Sequence, residues 1–451
     1  MPSSDSTPPT VDPRNLKQRK AEDSPREDSP REDSPREDGQ PNRSRAVVTD
    51  AKELAGGSFA AVARSTRDLF PESAYRPVDG PGGVRLPFGP HRLAVNSDGT
   101  GTKPELAERL AAASGDYRYF ERPAFDVVAM VADDAARHGQ FTVGIVNCVD
   151  VNSAENAAFV NALANGMRRA CEAGRFPLIN GETAELGYRV PGPGTSRLNW
   201  NAVALALVHE DKAFRSENLR PGQPVVAFRE TSIRSNGLTR ARAVLEHAYL
   251  AELGMTRQQW LEERLVRRVG LPPEAVRQLR SALIAEQPWI DEQILVPWHE
   301  RFADLTEQLS RPATIYSPVI TAAQGGVDGP IAVPIIAATH VTGGGIPLKM
   351  KRTLAGTGLG AVIEPVFPDP AGVPELLELA RRHPASSGPL VDERTACEQW
   401  NRGIGFTCVM ADHAAASALV QLAEAMGYDA AIAGNIREKA EIHWRGEIWT
   451  A

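Results

Sequence analysis

The sequence predicts an α+β fold in two domains behind a low-complexity tail, on three observations. At 451 residues the chain exceeds what one hydrophobic core usually serves. Its apolar runs and amphipathic segments succeed one another without the regular strand–helix alternation of a doubly wound sheet. Residues 24–38 read SPREDSPREDSPRED, three copies of a unit too polar to offset the entropy of ordering, so residues 1–45 are expected to stay disordered.

From residue 46 the pattern turns globular. A helix is expected through GSFAAVARSTRDLF (57–70), then a strand through Leu93-Ala94-Val95. Helical spacing of apolar residues marks 120–139, and the run FTVGIVNCVDV (141–151) reads as a strand. A helix over 153–174 takes Ser153 as N-cap and Gly174 as its stop. The strand FPLIN, the turn GETAELG and the strand NAVALALVHE follow, and a Pro-Gly turn near 221 opens a second domain over 217–451. There a helix is predicted from Leu238 and a charged helical stretch over 251–312, whose Trp260, Trp289 and Trp298 are expected as packing anchors. PIIAATHVTGGGIPLKM reads as a helix running into a triple glycine, and the C-terminal part as strand, amphipathic helix and strand.

Charge and composition exclude several classes. A net charge of −7, and no dense block among the 50 Lys and Arg, leave no basic field for nucleic acid or anionic lipid. Cys148, Cys171, Cys397 and Cys408 lack zinc-ligand spacing and are expected as reduced, buried thiols. No apolar stretch approaches the roughly 20 residues that span a bilayer, and no secretory signal is evident, so a soluble cytoplasmic protein is expected.

The chemistry-bearing motifs begin with NSDGTGTK. Glycines at 99 and 101, hydroxyls at Thr100 and Thr102 and the Lys103 ammonium are the ingredients of a polyanion cradle, and Asp98 could hold Mg²⁺. The spacing is not a Walker A motif, so a glycine-rich turn stays an equal reading. Asp126, Asp133 and Asp134 read as a solvated acidic face or as metal ligands on one helix. Glu182 and Glu185 close an apolar strand, where mixed folds often place chemistry, or simply a surface turn. IRSNGL (233–238) and HVTGGGIP (340–347) could present backbone N–H groups to a phosphate, or form linkers.

Taken in order, DGTGTK, DVVAMVADD, LINGETAELG, SIRSNGLTRARAVLE, THVTGGGIP and NRGIGFTCVM resemble the aminoimidazole ribonucleotide synthetase (phosphoribosylformylglycinamidine cyclo-ligase) family over about 80–437, with 251–310 as an insertion. The resemblance implies a two-domain fold, 46–216 binding ATP and dimerising and 217–451 carrying the helical insertion. It also implies a homodimer and a small-molecule substrate, formylglycinamidine ribonucleotide. The family uses ATP and Mg²⁺ to phosphorylate the substrate's amide oxygen, after which an internal nitrogen closes an imidazole ring. By similarity, Asp98, Gly99, Thr100, Gly101, Thr102, Lys103, Glu182 and Thr183 would contact ATP, and Asp98, Asp134 and Glu182 would hold Mg²⁺. Ser235, Asn236, Gly237, Thr342, Gly343, Gly344 and Gly345 would bind the substrate, with Lys103, Asp134 and Arg234 catalytic.

Arg234 stands where the family has histidine, Asp133 where it has asparagine, and Asn180 where it has glycine. A guanidinium stays cationic near neutrality and cannot exchange a proton as histidine does. A non-catalytic ATP-binding homologue and a small-molecule kinase are the competing functional readings.

Overall fold

The structure is a computed structural model that describes residues 78–80, 83–269, 272, 274–275 and 296–450. The expected tail, the helix over 57–70 and Trp289 lie outside the described residues. Helices and strands are mixed, and the described elements fall in one compact unit, Arg67–Ala451.

The first sheet is built from β1 (Val78–Gly80), β2 (Gly83–Phe88), β3 (His91–Gly99), β4 (Phe141–Val151), β5 (Leu178–Glu185) and β6 (Leu198–His209), in the order β1-β2-β3-β6-β4-β5. Between these strands run α1 (Pro104–Ser114), α2 (Arg122–Ala136) and α3 (Ala157–Gly174). Val127, Val131, Phe159 and Leu163 from α2 and α3 pack with Ile145, Val149, Trp200 and Ala202 from the strands. β6 alternates strictly, with Trp200, Ala202, Ala204 and Ala206 turned toward the helices. Leu205 takes the other face and pairs across the sheet with Val95, which is 57% exposed.

β7 (Pro224–Arg229), α4 (Leu238–Glu252), α5 (Arg257–Val269), α6 (Trp298–Arg301), α7 (Ala303–Leu309), α8 (Ser317–Ala323), β8 (Ile335–His340) and α9 (Gly345–Thr353) come next. The chain ends with β9 (Gly360–Ile363), α10 (Val373–Arg382), α11 (Glu393–Gln399), β10 (Ile404–Met410), α12 (His413–Ala425), β11 (Ala430–Arg437), β12 (Glu441–Trp444) and β13 (Glu447–Thr450). These strands form the second sheet, in the order β13-β12-β9-β11-β7-β10-β8. α8 and α12 bury Val319, Ile320 and Leu419 on one of its faces, and α9 buries Ile346 and Met350 on the other.

Three local expectations change. Ser153 caps no helix: its hydroxyl accepts from Glu155 N–H in a preceding turn, and Asn156 caps α3 by accepting from Ala158 and Phe159. The turn expected at GETAE is strand, because β4 is long enough to pair in parallel with β5 as far as Val151 opposite Glu185. The helix expected at PIIAATH is the strand β8, paired with β10; a short buried apolar run fits either period until a neighbouring strand takes up its backbone.

The described part of 251–312 forms α5, α6 and α7, and both Trp260 and Trp298 are buried with α4 and α10, as packing anchors should be. Of the cysteines, three are buried and Cys148 is exposed on β4. Among the described residues no helix is long and apolar enough to cross a membrane.

Candidate functional site

β3 carries Asp98 and Gly99 to the rim of the first sheet, where Gly99 N–H donates to Asp98 Oδ1 at 2.8 Å. Thr100 is fully buried; its N–H and its hydroxyl both donate to the Trp200 carbonyl, at 3.0 and 3.2 Å. Gly101 turns the chain at φ +58, a conformation that glycine adopts without a Cβ penalty. Thr102 stays exposed, and the loop walls a cavity of about 460 Å³ shared with Asp150, Asn199, Arg189 and Arg242.

Lys103 points away from that cavity. Its Nζ donates to Asp126 Oδ1 and to the Arg311 carbonyl, both at 2.6 Å, with both side chains buried. Burial lowers the Lys103 amine and raises the Asp126 carboxyl, and each charge opposes the shift on the other.

The residue that replaces the family histidine is the hub of a second buried network. Arg234 is 1% exposed at φ +56. Nη1 donates to Glu230 Oε2 and the Thr314 carbonyl, both at 2.9 Å, and Nη2 to Asp133 Oδ2 at 3.0 Å and His340 Nε2 at 2.8 Å. Asp133 also accepts from Tyr316 and Ser317 N–H at 2.7 and 2.8 Å. Burial lifts the Asp133 carboxyl to about 6 against the pull of Arg234. Asp126 and Asp133 are therefore not a solvated acidic face, since both are fully buried and paired with cations.

Asp134, next along α2, is half-buried and takes Arg137 Nε at 2.6 Å. Burial opposes its ionisation, but His340 Nδ1 at 3.5 Å and the hydrogen-bonded Arg137 hold it well below the usual carboxylate range. Lys349 on α9 feels both Asp134 and Asp98; burial, then Arg352, press its amine down to about 8. The expected ligand set does not assemble, since among the described residues no three His, Cys, Asp or Glu side chains gather as a metal site. Glu182 and Thr183 lie on the exposed edge strand β5. Glu182 shares a cross-sheet row with Gly99, but Asn201 and Cys148 stand between them.

The glycine motifs do meet. A Cβ on Gly101 would come 3.8 Å from the Ser235 carbonyl, and one on Gly343 would come 3.2 Å from Asn236 Oδ1. Gly237, at φ +74, leaves no room for a side chain against Trp400, whose Nε1 donates to the Gly237 carbonyl at 3.3 Å. Thr342 is buried, and Gly344 and Gly345 adopt φ +100 and +62 where α9 begins.

Sequence reasoning missed Glu230, Thr314, Tyr316, His340 and Lys349. Glu230 lies four residues before Arg234, and His340 two residues before Thr342; that proximity was the available signal. Thr314 accepts from Arg234 at its carbonyl and donates to Glu230 from its N–H and its hydroxyl, contacts 80 and 84 residues apart that no local pattern encodes.

Residues 83–202 match the family model described as AIR synthase related protein, N-terminal domain. Phosphoribosylformylglycinamidine cyclo-ligase of Parasynechococcus marenigrum (strain WH8102) is 24% identical over 332 residues, 73% of this chain and 76% of that protein. The protein of the same name in Synechococcus sp. (strain CC9311) is 24% identical over 386 residues, 84% of this chain and 92% of its own. The solved structure of Thermotoga maritima PurL complexed with FGAR aligns over 81% of this chain at 13% identity and a TM-score of 0.41. This chain covers 45% of that protein, less than half its length. Residues 83–202 thus form a segment similar to the N-terminal domain of AIR synthase related proteins.

Proposed function

We propose that this protein is an ATP-dependent cyclo-ligase that closes the ring of formylglycinamidine ribonucleotide to aminoimidazole ribonucleotide. The observation that carries the reading is the convergence of three glycine-bearing segments: Gly101 against Ser235, and Gly343 against Asn236. They bring backbone N–H groups from the rims of both sheets to one place, the arrangement suited to a phosphorylated nucleotide beside a phosphorylated substrate.

Asp98, Gly99, Thr100, Gly101 and Thr102 form the nucleotide side, and the 460 Å³ cavity beside them takes the nucleotide. Mg²⁺ is commonly held by one or two carboxylates with phosphate oxygens completing its shell, so Asp98 and Asp134 suffice without a third acid. ATP with Mg²⁺ supplies the phosphoryl group that makes the amide oxygen a leaving group. Lys349 stabilises phosphate charge from the second sheet, where its amine already feels both carboxylates. Ser235, Asn236 and Gly237, with Thr342 to Gly345, hold the substrate. Lys103 and Arg234 act from behind, by fixing α2 and the 230–237 turn.

The same reading makes 46–216 the ATP-binding, dimerising domain and 217–451 the second domain, with the helical segment 251–312 inserted. A homodimer is supported by the apolar outer face of the first sheet, where Val95 meets Leu205, and by the exposed Leu178 and Ile179 on β5.

The test incubates purified protein with Mg²⁺-ATP and formylglycinamidine ribonucleotide and measures ADP and ring product. Equal yields of the two are expected. Bound nucleotide without ADP would make it a non-catalytic homologue; ADP only with another phosphate acceptor would make it a kinase.

A further inference from the structure

Beyond that reading, a second cleft gathers positive charge that the proposed reaction leaves unused. A cavity of about 420 Å³ lies between the C-terminal end of α2, the turn before β7, β8 and the end of α9. Arg137, Arg215 and Arg352 line it from three separate elements, with the hydroxyl residues Ser216, Thr353 and Thr357 around them and one carboxylate, Glu217.

We propose that this arginine cleft binds a phosphate group, either as free orthophosphate or as the monoester of a phosphorylated sugar. Like charges converge at a cost unless something neutralises them, and the carboxylates present do so incompletely. Arg137 is held by Asp134 at 2.6 Å, while Arg215 reaches Glu217 and Glu210 only at 3.7 and 3.9 Å. Arg352 is exposed and makes no ion pair among the described residues. The residual field reaches beyond the cleft: Arg352 and Arg137 both help press down the half-buried Lys349 amine, after burial. Three guanidiniums at one cavity match the oxygens of a phosphate, which forked N–H donors recognise in pairs. The floor of Ala337 and Ala338 offers no competing anion.

The experiment is calorimetric titration of the full chain with orthophosphate and with ribose 5-phosphate, comparing wild type with Arg215→Glu/Arg352→Glu. Both arginines are exposed, so the variant should fold, which its melting curve checks. Wild type should bind at least one probe, and the variant should bind it about tenfold or more weakly. Arg381→Glu/Arg382→Glu, at two exposed positions at the end of α10 outside the cleft lining, makes the same change in net charge and should leave affinity within about twofold. Tighter binding of ribose 5-phosphate than of orthophosphate identifies a sugar phosphate as the ligand; equal binding identifies free phosphate. The proposal fails if wild type binds neither probe, or if the Arg215/Arg352 variant binds like wild type. A non-hydrolysable ATP analogue titrated in parallel reads the glycine-loop cavity, so failure of the cyclo-ligase reading registers separately.

Discussion

Arg234 Nη2 donates to His340 Nε2 across 2.8 Å, and that bond fixes the imidazole. A guanidinium can only donate, so Nε2 accepts and the ring proton sits on Nδ1, facing Asp134 Oδ1 at 3.5 Å. Burial, then Arg234, press the His340 pKa down to about 3, so the ring remains neutral through the physiological range. Arg234, 1% exposed, thereby sets the imidazole that faces Asp134 from within the core.

Arg234→His is expected to cost stability. Removing the guanidinium leaves Glu230 and Asp133 buried without their cation, a loss of about 3–5 kcal/mol by analogy with other broken buried pairs. Urea unfolding measures it. If position 234 instead handles protons in contact with substrate, the variant will match or exceed wild-type turnover and keep its midpoint.

Lys103→Met separates two roles. As a brace for Asp126 alone, Lys103 contributes stability, and its loss should lower the melting temperature while leaving nucleotide affinity within about twofold. As a direct ATP contact it would also contribute affinity, and its loss would weaken nucleotide binding by about tenfold or more. The buried geometry favours the first outcome.

Glu108 makes stability depend on pH. Its carboxyl accepts from Leu198 N–H at 2.9 Å, and burial raises its pKa from 4.5 to about 8. Folded protein therefore binds the proton that unfolded protein has released between these two values. Stability from this group is fully present below about 4.5 and is lost as pH rises toward 8, at up to roughly 1.4 kcal/mol per pH unit. Glu108→Gln, which keeps an acceptor for Leu198, should gain on wild type from pH 5 to about pH 8 and level off above it in thermal melts. A constant difference across that range would show that Glu108 titrates normally.

Glycines of similar φ should differ sharply in tolerance. Gly345→Ala places its Cβ 2.0 Å from the Cys397 carbonyl, whereas Gly356→Ala, at φ +77, meets nothing within 4 Å. The first should destabilise the start of α9 by more than about 3 kcal/mol, and the second by about 1 kcal/mol, the left-handed penalty alone. Equal midpoints in chemical denaturation would refute the packing argument.

The sequence by itself determined a good deal. Apolar periodicity located β4 to the residue, and the alternation of strand, amphipathic helix and strand near the C-terminus appears as β10, α12 and β11. Both signals are local, because a strand or helix face must repeat with its own period. The glycine motifs were equally legible, since glycine takes φ +62 or +100 without the Cβ penalty that Arg234 bears at φ +56.

Tertiary structure decided the rest, through partners distant in the chain. β8 became a strand because β10 was there to pair with it. Asp126 and Asp133 read from the sequence as a solvated face or as metal ligands on one helix, whereas in the fold Lys103 and Arg234 neutralise them in the core. An ion pair between residues 101 positions apart leaves no pattern in either neighbourhood. Burial of Arg234 between Glu230 and Asp133 was likewise illegible in the sequence, because accessibility depends on everything packed around a side chain.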